Sequence, residues 1–311
     1  MAASPLASTE VAYATSTGAL GALTPAGVTV TAAGQLASGS SPAISANSGG
    51  GYTEAFRATD GDLWRAGSSL PLTSTRIFEF ASTSPGSVLP GGFAFVGNSN
   101  ALEFADPAGT VSDPDLAEVG GGTSPAALTA SGLDEVVFAD GINDLWTLNL
   151  ATSSASDTTL AMQAGTSPSI AGTGAAAGQA DIAYHGSNGD LWVLPLGGSP
   201  KDLGLPMAPG TSPSITEVAG DTDVIAYADP GGSLREVSPA GAGGPIGVSM
   251  AAGTSPGITG DSGGGTVVAV QSSAGHLVTY DSGTGALTDT GLALMSDSSP
   301  DITATAPLAF P

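Results

Sequence analysis

Residues Ala164 to Leu194 read AGTSPSIAGTGAAAGQADIAYHGSNGDLWVL, and two features of this stretch recur along the chain. The first feature is a triplet in which Ser or Thr is followed by Ser and Pro. The triplet occurs at seven places: Ser40-Ser41-Pro42, Thr83-Ser84-Pro85, Thr123-Ser124-Pro125, Thr166-Ser167-Pro168, Thr211-Ser212-Pro213, Thr254-Ser255-Pro256 and Ser298-Ser299-Pro300. Successive copies lie 40 to 45 residues apart, with a mean period of about 43. Such a period is typical of a repeat protein whose repeats each form one supersecondary unit.

The second feature is an apolar or aromatic residue that is followed seven positions later by Leu. The seven pairs are Tyr13 and Leu20, Phe56 and Leu63, Phe95 and Leu102, Phe138 and Leu145, Tyr184 and Leu191, Tyr227 and Leu234, and Val270 and Leu277. Gly or Asn lies two positions before each Leu, at Gly18, Gly61, Asn100, Asn143, Gly189, Gly232 and Gly275. Because Gly and Asn tolerate positive φ, each repeat is predicted to contain a tight β-hairpin whose turn sets the register.

The rest of each repeat is predicted to contain two further strands. One begins at the triplet, as in Ser212 to Thr216, and the other precedes the next triplet, as in Asp202 to Met207. Four short strands in about 43 residues make one propeller blade. The chain is therefore predicted to be all-β, a single seven-bladed β-propeller domain over residues 1–311 with four antiparallel strands per blade. The 47 Gly and 22 Pro argue against a helical solenoid.

The two ends of the chain indicate how the ring closes. The first hairpin, Val11 to Leu23, has no triplet at the usual distance before it, and the last triplet has no hairpin after it. We predict that a strand near Asp301 to Thr305 completes the first blade, which is then shared between residues 6–39 and 298–311. Pairing of the N- and C-terminal strands removes the exposed edges of an open sheet.

The triplet itself is interpreted as structural. Pro is tolerated at the start of a strand, and Ser or Thr hydroxyls can bond to backbone groups where the chain passes from one blade to the next. A ligand site rarely needs the same three residues in every repeat, so we do not place ligand contacts on the triplet.

Charge and composition restrict the partners. The chain has 28 Asp and Glu against 5 Lys and Arg, and its formal net charge is -23 at pH 7. Such a surface repels phosphate backbones, so nucleic acid is not expected as a partner. No run of about 18 apolar residues occurs, so no membrane insertion is expected. The absence of Cys excludes disulfides and thiolate chemistry.

Few residues are suited to catalysis. The segment Gly260 to Gly265 reads GDSGGG, and chymotrypsin-like proteases have Gly-Asp-Ser-Gly-Gly around their nucleophilic Ser. Such a protease also needs a His beside that Ser, and the whole sequence has only two His. Ser262 is therefore interpreted as part of a loop between the first and second strands of a blade. Sialidases are also propellers, but the spacing of their Asp-box is not matched by TDGDLW or SNGDLW. We therefore expect no enzymatic activity and no cofactor. We also expect no metal site, because the turn carboxylates lack a full set of calcium ligands.

The position after the recurring Leu varies in character from repeat to repeat. Across the seven repeats it holds Gly21, Trp64, Glu103, Trp146, Trp192, Arg235 and Val278, which include all three tryptophans of the chain. Neighbouring residues of a strand point to opposite faces, so this side chain is expected in a groove between blades. Two interpretations remain open: the tryptophans fill gaps between blades, or they offer sugars a flat apolar face with a polar edge.

Repeated hairpins of the DGxLW type, as in TDGDLW and SNGDLW, resemble those of tachylectin-2-like and related bacterial propeller lectins, over nearly the whole chain. The resemblance implies a non-enzymatic carbohydrate-binding propeller that takes glycans or glycoconjugates in shallow sites between blades. On the sugar-binding interpretation, the predicted ligand-binding residues are Trp64, Trp146 and Trp192, with Asp62, Asp144 and Asp190 as their polar neighbours. Those lectins repeat their ligand residues in most blades, whereas this chain has Trp in three of seven.

A second propeller family matches the repeat less well. Virginiamycin B lyase-like propellers have a similar repeat length and a DGxLW turn, but they place the Pro strand directly against that turn, unlike most repeats here. The alternative to sugar binding is a protein-interaction or structural scaffold, in which an acidic surface meets a basic protein and the tryptophans only pack. On the lectin interpretation we expect an extracellular or secreted location, although the first residues contain no basic segment followed by an apolar run.

Overall fold

The structure, a computed structural model, is all-β. Within the residues it describes, 28 strands form seven four-stranded antiparallel sheets and there is no helix. No helix long and apolar enough to cross a membrane is therefore found in this part of the chain. The described residues are 9–47, 50–68, 70–78, 87–89, 92–97, 100–106, 110–112, 119–130, 133–173, 179–218, 222–241 and 243–304.

Each sheet is one blade, and the blades follow the repeats. Blade 1 contains β1 (Thr9–Ala14), β2 (Ala19–Thr24), β3 (Gly27–Gln35) and the last strand of the chain, β28 (Asp301–Ala304). Blade 2 contains β4 (Ala43–Ala46), β5 (Tyr52–Arg57), β6 (Asp62–Gly67) and β7 (Thr73–Phe78). Blade 3 contains β8 (Ser87–Leu89), β9 (Gly92–Val96), β10 (Leu102–Ala105) and β11 (Val111–Ser112).

The remaining four blades use consecutive strands in the same way. Blade 4 contains β12 (Ala126–Ala130), β13 (Leu133–Ala139), β14 (Asp144–Asn149) and β15 (Ser154–Ala161). Blade 5 contains β16 (Ser169–Gly172), β17 (Ala180–His185), β18 (Asp190–Pro195) and β19 (Lys201–Pro206). Blade 6 contains β20 (Ser214–Val218), β21 (Thr222–Ala228), β22 (Ser233–Val237) and β23 (Gly243–Ser249), and blade 7 contains β24 (Gly257–Gly260), β25 (Thr266–Gln271), β26 (His276–Asp281) and β27 (Ala286–Ala293). The seven-bladed β-propeller is confirmed.

The predicted hairpins join the second and third strands of every blade. All seven Gly or Asn residues before the Leu have positive φ, between 60° at Asn100 and 90° at Gly189. In each case the N–H of that residue donates to the carbonyl three positions earlier, as from Gly189 to Gly186 at 2.9 Å. A residue that tolerates the left-handed region is therefore needed at this place, and the predicted turn is confirmed.

The strand beginning at the triplet starts later than predicted. β20 begins at Ser214 rather than Ser212, because Pro213 has no N–H and the N–H of Ser212 donates to Ser255 Oγ at 2.9 Å. The fourth strand of blade 5 was predicted from Asp202 to Met207, and it lies one residue earlier, at Lys201–Pro206.

The ring closes as predicted. β28 pairs antiparallel with β1, with Thr9 opposite Ala304 and Ala12 opposite Asp301. The backbone N–H of Ile44 in blade 2 donates to Asp301 Oδ2 at 2.9 Å, so the C-terminal strand also contacts the next blade. Thr305, at the end of the predicted strand, lies outside the described residues.

The triplets form a ring of hydrogen bonds around the axis. The backbone N–H of the middle Ser in one blade donates to the middle Ser Oγ of the next blade in five described cases. These are Ser124 to Ser167 at 2.8 Å, Ser167 to Ser212 at 2.9 Å, Ser212 to Ser255 at 2.9 Å, Ser255 to Ser299 at 2.8 Å and Ser299 to Ser41 at 2.8 Å. Within the described triplets, the structural interpretation is confirmed. Thr83-Ser84-Pro85 lies outside the described residues.

The first hydroxyl of the triplet has a different partner. It donates to the carbonyl oxygen three residues earlier, at 2.7 to 2.8 Å, in Ser40, Thr123, Thr166, Thr211 and Thr254. This bond satisfies a buried hydroxyl and closes the turn that leads into the next blade.

The core lies between neighbouring blades rather than at the axis. Leu191 of blade 5 packs with Ile215 and Tyr227 of blade 6, while Tyr184 on the other face of blade 5 packs with Leu145 of blade 4. Each sheet therefore buries apolar side chains on both faces, and residues at adjacent positions of a strand belong to different inter-blade layers.

Candidate functional site: the grooves between blades

The three tryptophans lie at equivalent places near the start of the third strand in blades 2, 4 and 5. Trp146 is directly opposite Phe138 on the neighbouring strand, and Trp192 is directly opposite Tyr184. The ring centroids of these pairs are 6.3 Å and 6.1 Å apart with interplanar angles of 25° and 29°, so the rings stack. Trp64 is opposite Phe56 in the same register.

Each tryptophan packs against the preceding blade and stays partly exposed. Trp192 contacts the cluster that contains Leu145 of blade 4, whereas the adjacent Leu191 is fully buried toward blade 6. The prediction that Leu and its neighbour face opposite inter-blade layers is confirmed. Each indole therefore contributes to inter-blade packing and still presents part of its surface to solvent.

A polar side chain of the preceding turn binds each indole N–H. Trp146 Nε1 donates to Asp140 Oδ2 at 3.0 Å, Trp192 Nε1 donates to Asn188 Oδ1 at 3.0 Å, and Trp64 Nε1 donates to Asp60. Since the indole N–H is the only polar group of Trp, the exposed part of each ring is carbon surface. The polar edge expected from the sequence for ligand binding is used inside the protein.

Asp62, Asp144 and Asp190 each lie two residues before a Trp on the same strand, and hence on the same face. Asp62 Oδ2 accepts a hydrogen bond from Ser74 Oγ at 2.8 Å, and Asp190 Oδ2 accepts one from Asn188 Nδ2 at 3.1 Å. The same Asn188 amide donates to Asp202 Oδ2 at 3.0 Å. The structure thus brings every predicted Asp to the face that carries its Trp.

The blade 4 groove contains the densest group of acids. The pKa of Asp144 is raised, first by desolvation and then by the negative charges of Asp140 and Asp157. Asp157 lies on β15 directly opposite Trp146, next to an irregularity in strand pairing that shifts the register between Asp144 and Trp146. Ile142, at the tip of the turn, is 76% exposed and adds apolar surface beside these acids.

Sequence reasoning missed the residues that hold the indoles and the acids of the fourth strand. Asp60 and Asn188 lie four residues before their Trp, which a search of the turns would have found. Asp140 lies six residues before Trp146, so one rule does not cover all three blades. Asp157 and Asp202 depend on the strand irregularity, for which the sequence has no simple signal.

The other four blades use this position differently. Gly21 leaves room for Tyr13, because a Cβ added at Gly21 would lie 2.4 Å from Tyr13 Cζ. Val278 is buried, and Arg235 Nε donates to Asp229 Oδ2 at 2.7 Å. Glu103, in blade 3, is partly exposed.

A second contact between an acid and a basic side chain lies in blade 7. His276 Nδ1 lies 3.2 Å from Asp289 Oδ2, and Asp289 is directly opposite Val278. Hydrogen bonding from Gly291 N–H and from His276 lowers the pKa of Asp289. In blade 6, partial burial acts to raise the pKa of Asp229, but its hydrogen bonds, above all from Arg235, hold it below the usual range.

The residues considered for catalysis are not brought together. Ser262 is exposed in the turn between β24 and β25, where Asp261 Oδ1 accepts the N–H groups of Gly263 and Gly265 at 2.7 and 2.8 Å. The predicted loop is confirmed. His185 is fully buried, with Nδ1 2.9 Å from the carbonyl oxygen of Thr211. Among the described residues, no three or more His, Asp or Glu side chains are grouped to hold a metal ion.

A cavity of about 490 Å³ lies at the axis, lined mainly by the Ser and Pro of the triplets. Asp301 also lines it, and its two carboxylate oxygens accept the N–H groups of Ile44 and Ile302 at 2.9 Å. Burial raises the pKa of Asp301 to about 6. The middle Ser hydroxyls that line the cavity thus already accept hydrogen bonds that join neighbouring blades.

No protein-family model matches the sequence, and no curated protein matches it. Solved structures do match the fold. The fucose-specific lectin from Aleuria aurantia is 16% identical, with 88% of this chain and 98% of that chain covered and a TM-score of 0.60. AofleA from Arthrobotrys oligospora is 15% identical, with 87% and 91% covered and a TM-score of 0.56. Virginiamycin B lyase from Staphylococcus aureus is 13% identical, with 81% and 84% covered and a TM-score of 0.56.

These likenesses concern the fold. The Aleuria lectin is described as a six-bladed propeller, whereas this chain has seven blades. The neighbours include both lectins and an enzyme, so function has to be argued from the grooves themselves.

Proposed function

We propose that the protein is a non-enzymatic carbohydrate-binding propeller with shallow sites between blades at Trp64, Trp146 and Trp192. The proposal rests on the packing, hydrogen bonding and partial exposure of the three indoles. Each is stacked or packed on one side, has its N–H bonded to its own turn, and exposes carbon surface beside an Asp of the same strand face. An ordered apolar face next to hydrogen-bond acceptors suits the C–H face and the hydroxyls of a sugar ring.

The lectin neighbours support this proposal at the level of fold, since the Aleuria protein binds fucose. The GDLW hairpins and their similarity to tachylectin-2-like lectins support it at the level of the repeat. Glycans or glycoconjugates are the proposed partners, in an extracellular setting. Three weak sites on one rigid ring would gain avidity on a multivalent surface.

The test combines a glycan array with titration of tryptophan fluorescence. The triple variant W64F/W146F/W192F keeps an aromatic ring at each packing position but removes the indole, and it is expected to lose array binding while still melting cooperatively. Tyr280→Phe is the matched control and should bind like the wild type. It changes a partly exposed aromatic residue near the C-terminal end of β26, in a blade without a Trp. No glycan response from the wild type, together with capture of a basic protein, would favour the scaffold alternative instead.

A further inference from the structure

The groove of blade 4 places three carboxylates beside Trp146. Asp140 lies in the turn, Asp144 begins β14, and Asp157 is opposite Trp146 on β15. Two contacts between described residues join an acid to a basic side chain, Arg235 to Asp229 and His276 to Asp289, and neither involves these three acids.

The three carboxylates differ in how far they are satisfied. Asp140 accepts the N–H groups of Ile142 and Asp144 on one oxygen and the indole of Trp146 on the other. Asp157 Oδ1 accepts the N–H of Thr159 at 2.7 Å. The side chain of Asp144 accepts no hydrogen bond from the described residues. Ionised carboxylates only accept, so a ligand of this groove has to supply the donors.

Blade 6 shows what the corresponding groove does with a cation. Arg235 stands where blade 4 has Trp146, directly opposite Tyr227, just as Trp146 is opposite Phe138. Its guanidinium binds Asp229, the turn residue that corresponds to Asp140.

Blade 7 places a basic side chain at one of these positions. His276 stands where blade 4 has Asp144, and it contacts Asp289, which corresponds to Asp157 on the fourth strand. The counterparts of Asp140 in blade 6 and of Asp157 in blade 7 are therefore each bonded to a basic side chain, whereas Asp140 and Asp157 have no such partner among the described residues.

We propose that the blade 4 groove selects an amino sugar with a free ammonium group, such as a glucosamine unit of a deacetylated glycan. The inference rests on the proposed function, because it names the class of sugar for one of those sites. The ammonium lies between Asp144 and Asp157 and contacts Asp157 as His276 contacts Asp289 in blade 7, and the C–H face of the ring contacts Trp146. An ammonium near an indole also gains cation–π attraction, and the net charge of -23 attracts a polycationic glycan to the surface.

The test uses a background variant, W64F/W192F, in which Trp146 is the only tryptophan and reports on this groove alone. Two probes are titrated at fixed ionic strength: a glucosamine tetramer and the N-acetylglucosamine tetramer, which has the same rings without the charge. The glucosamine tetramer is expected to bind about tenfold more tightly, the scale of one ion pair and one cation–π contact on a protein surface.

Two substitutions in this background locate the preference. Asp144→Asn keeps the shape of the side chain and is expected to remove most of the preference, whereas Asp281→Asn, which removes the same charge at the last residue of β26, should keep it. Trp146→Arg copies the arrangement of Arg235 in blade 6, so it is expected to fold and to bind neither tetramer, as measured by calorimetry.

Each outcome is decisive for one of the two statements. Equal affinity for both tetramers, or an unchanged preference in D144N, overturns the amino-sugar inference and leaves the proposed function standing. Equal loss of preference in D281N and D144N shows non-specific charge attraction and also overturns the inference. Failure of both tetramers and of every glycan on the array overturns the proposed function itself.

Discussion

The axis of the propeller and the grooves between its blades use the same repeat in opposite ways. At the axis, the middle Ser of one triplet bonds to the middle Ser of the next through the same pair of atoms in the five described cases, at 2.8 to 2.9 Å. In the grooves, the position after the recurring Leu holds Trp in three blades and Gly, Glu, Arg or Val in the others. Closure of a ring requires that every blade meets the next one alike, whereas a groove can change without affecting closure. Variation within the repeat therefore points to the places where function can reside.

The largest expected effect comes from opening the ring. Deleting residues 298–311 removes β28, the hydrogen bond from Ser299 N–H to Ser41 Oγ and the bond from Ile44 N–H to Asp301. The exposed edge of β1 and the broken ring should abolish cooperative unfolding in calorimetry. Deleting only residues 305–311 retains β28 and isolates its contribution. An unchanged melting curve for the longer deletion would show that the blades do not depend on closure.

A change of pH should act on the buried acids of the interior, whose protonation differs between the folded and unfolded states. Burial raises the pKa of Glu10 to about 7. Burial, and after it the negative charge of Glu10, raises the pKa of Glu54 to about 8. Burial and the neighbouring acids Asp181 and Glu217 raise the pKa of Asp223 to about 8. These groups hold protons more tightly in the folded state than in the unfolded state, so their contribution to stability is complete below the unfolded pKa and is lost as pH rises.

The free energy of unfolding is therefore expected to increase by several kcal/mol as pH falls from about 8.5 to about 5. Asp229 and Asp289, whose pKa is lowered, lose their contribution only at more acidic pH and do not offset this gain. Urea unfolding at a series of pH values measures the slope, and Glu54→Gln should flatten it. A stability that rises with pH over this window would contradict the assignment of protonated buried acids.

The smallest expected effects compare one residue of each region. Ser212→Ala leaves the N–H of Ser167 without its acceptor and should lower the free energy of unfolding by about 1 to 2 kcal/mol. Trp192→Phe keeps an aromatic ring over Tyr184 and loses one partly exposed hydrogen bond, so its cost should stay below about 1 kcal/mol. Ser262→Ala, in an exposed turn, is the control. A larger loss for W192F than for S212A would reverse the proposed division between structural axis and functional groove.

Much of the fold was predictable because its signals are local. The turn residues Gly189 and Asn143 have the positive φ that their residue types suggest, and the spacing to Leu placed each hairpin correctly. The start of β20 was predicted two residues too early, because the sequence does not show that the N–H of Ser212 is bonded to another blade.

The candidate site was predicted only in part. Placement of Asp144 and Trp146 on one face followed from strand alternation. The internal use of the indole N–H was not expected, because it depends on how the side chain folds back over its own turn. The approach of Asp157 was not expected either, since an irregular strand pairing decides it.

By itself, the sequence determined the repeat, the number of blades, the hairpin turns and the pairing of the chain ends. These follow from periodicity and from backbone preferences of single residues, which act over a few positions. Tertiary packing sets which polar groups meet, such as Ser299 with Ser41 and His276 with Asp289. Asp157, the counterpart of Asp289, contacts no basic side chain among the described residues. Such contacts depend on the packing of one blade on the next and on the register of the fourth strand, which no short segment of sequence encodes.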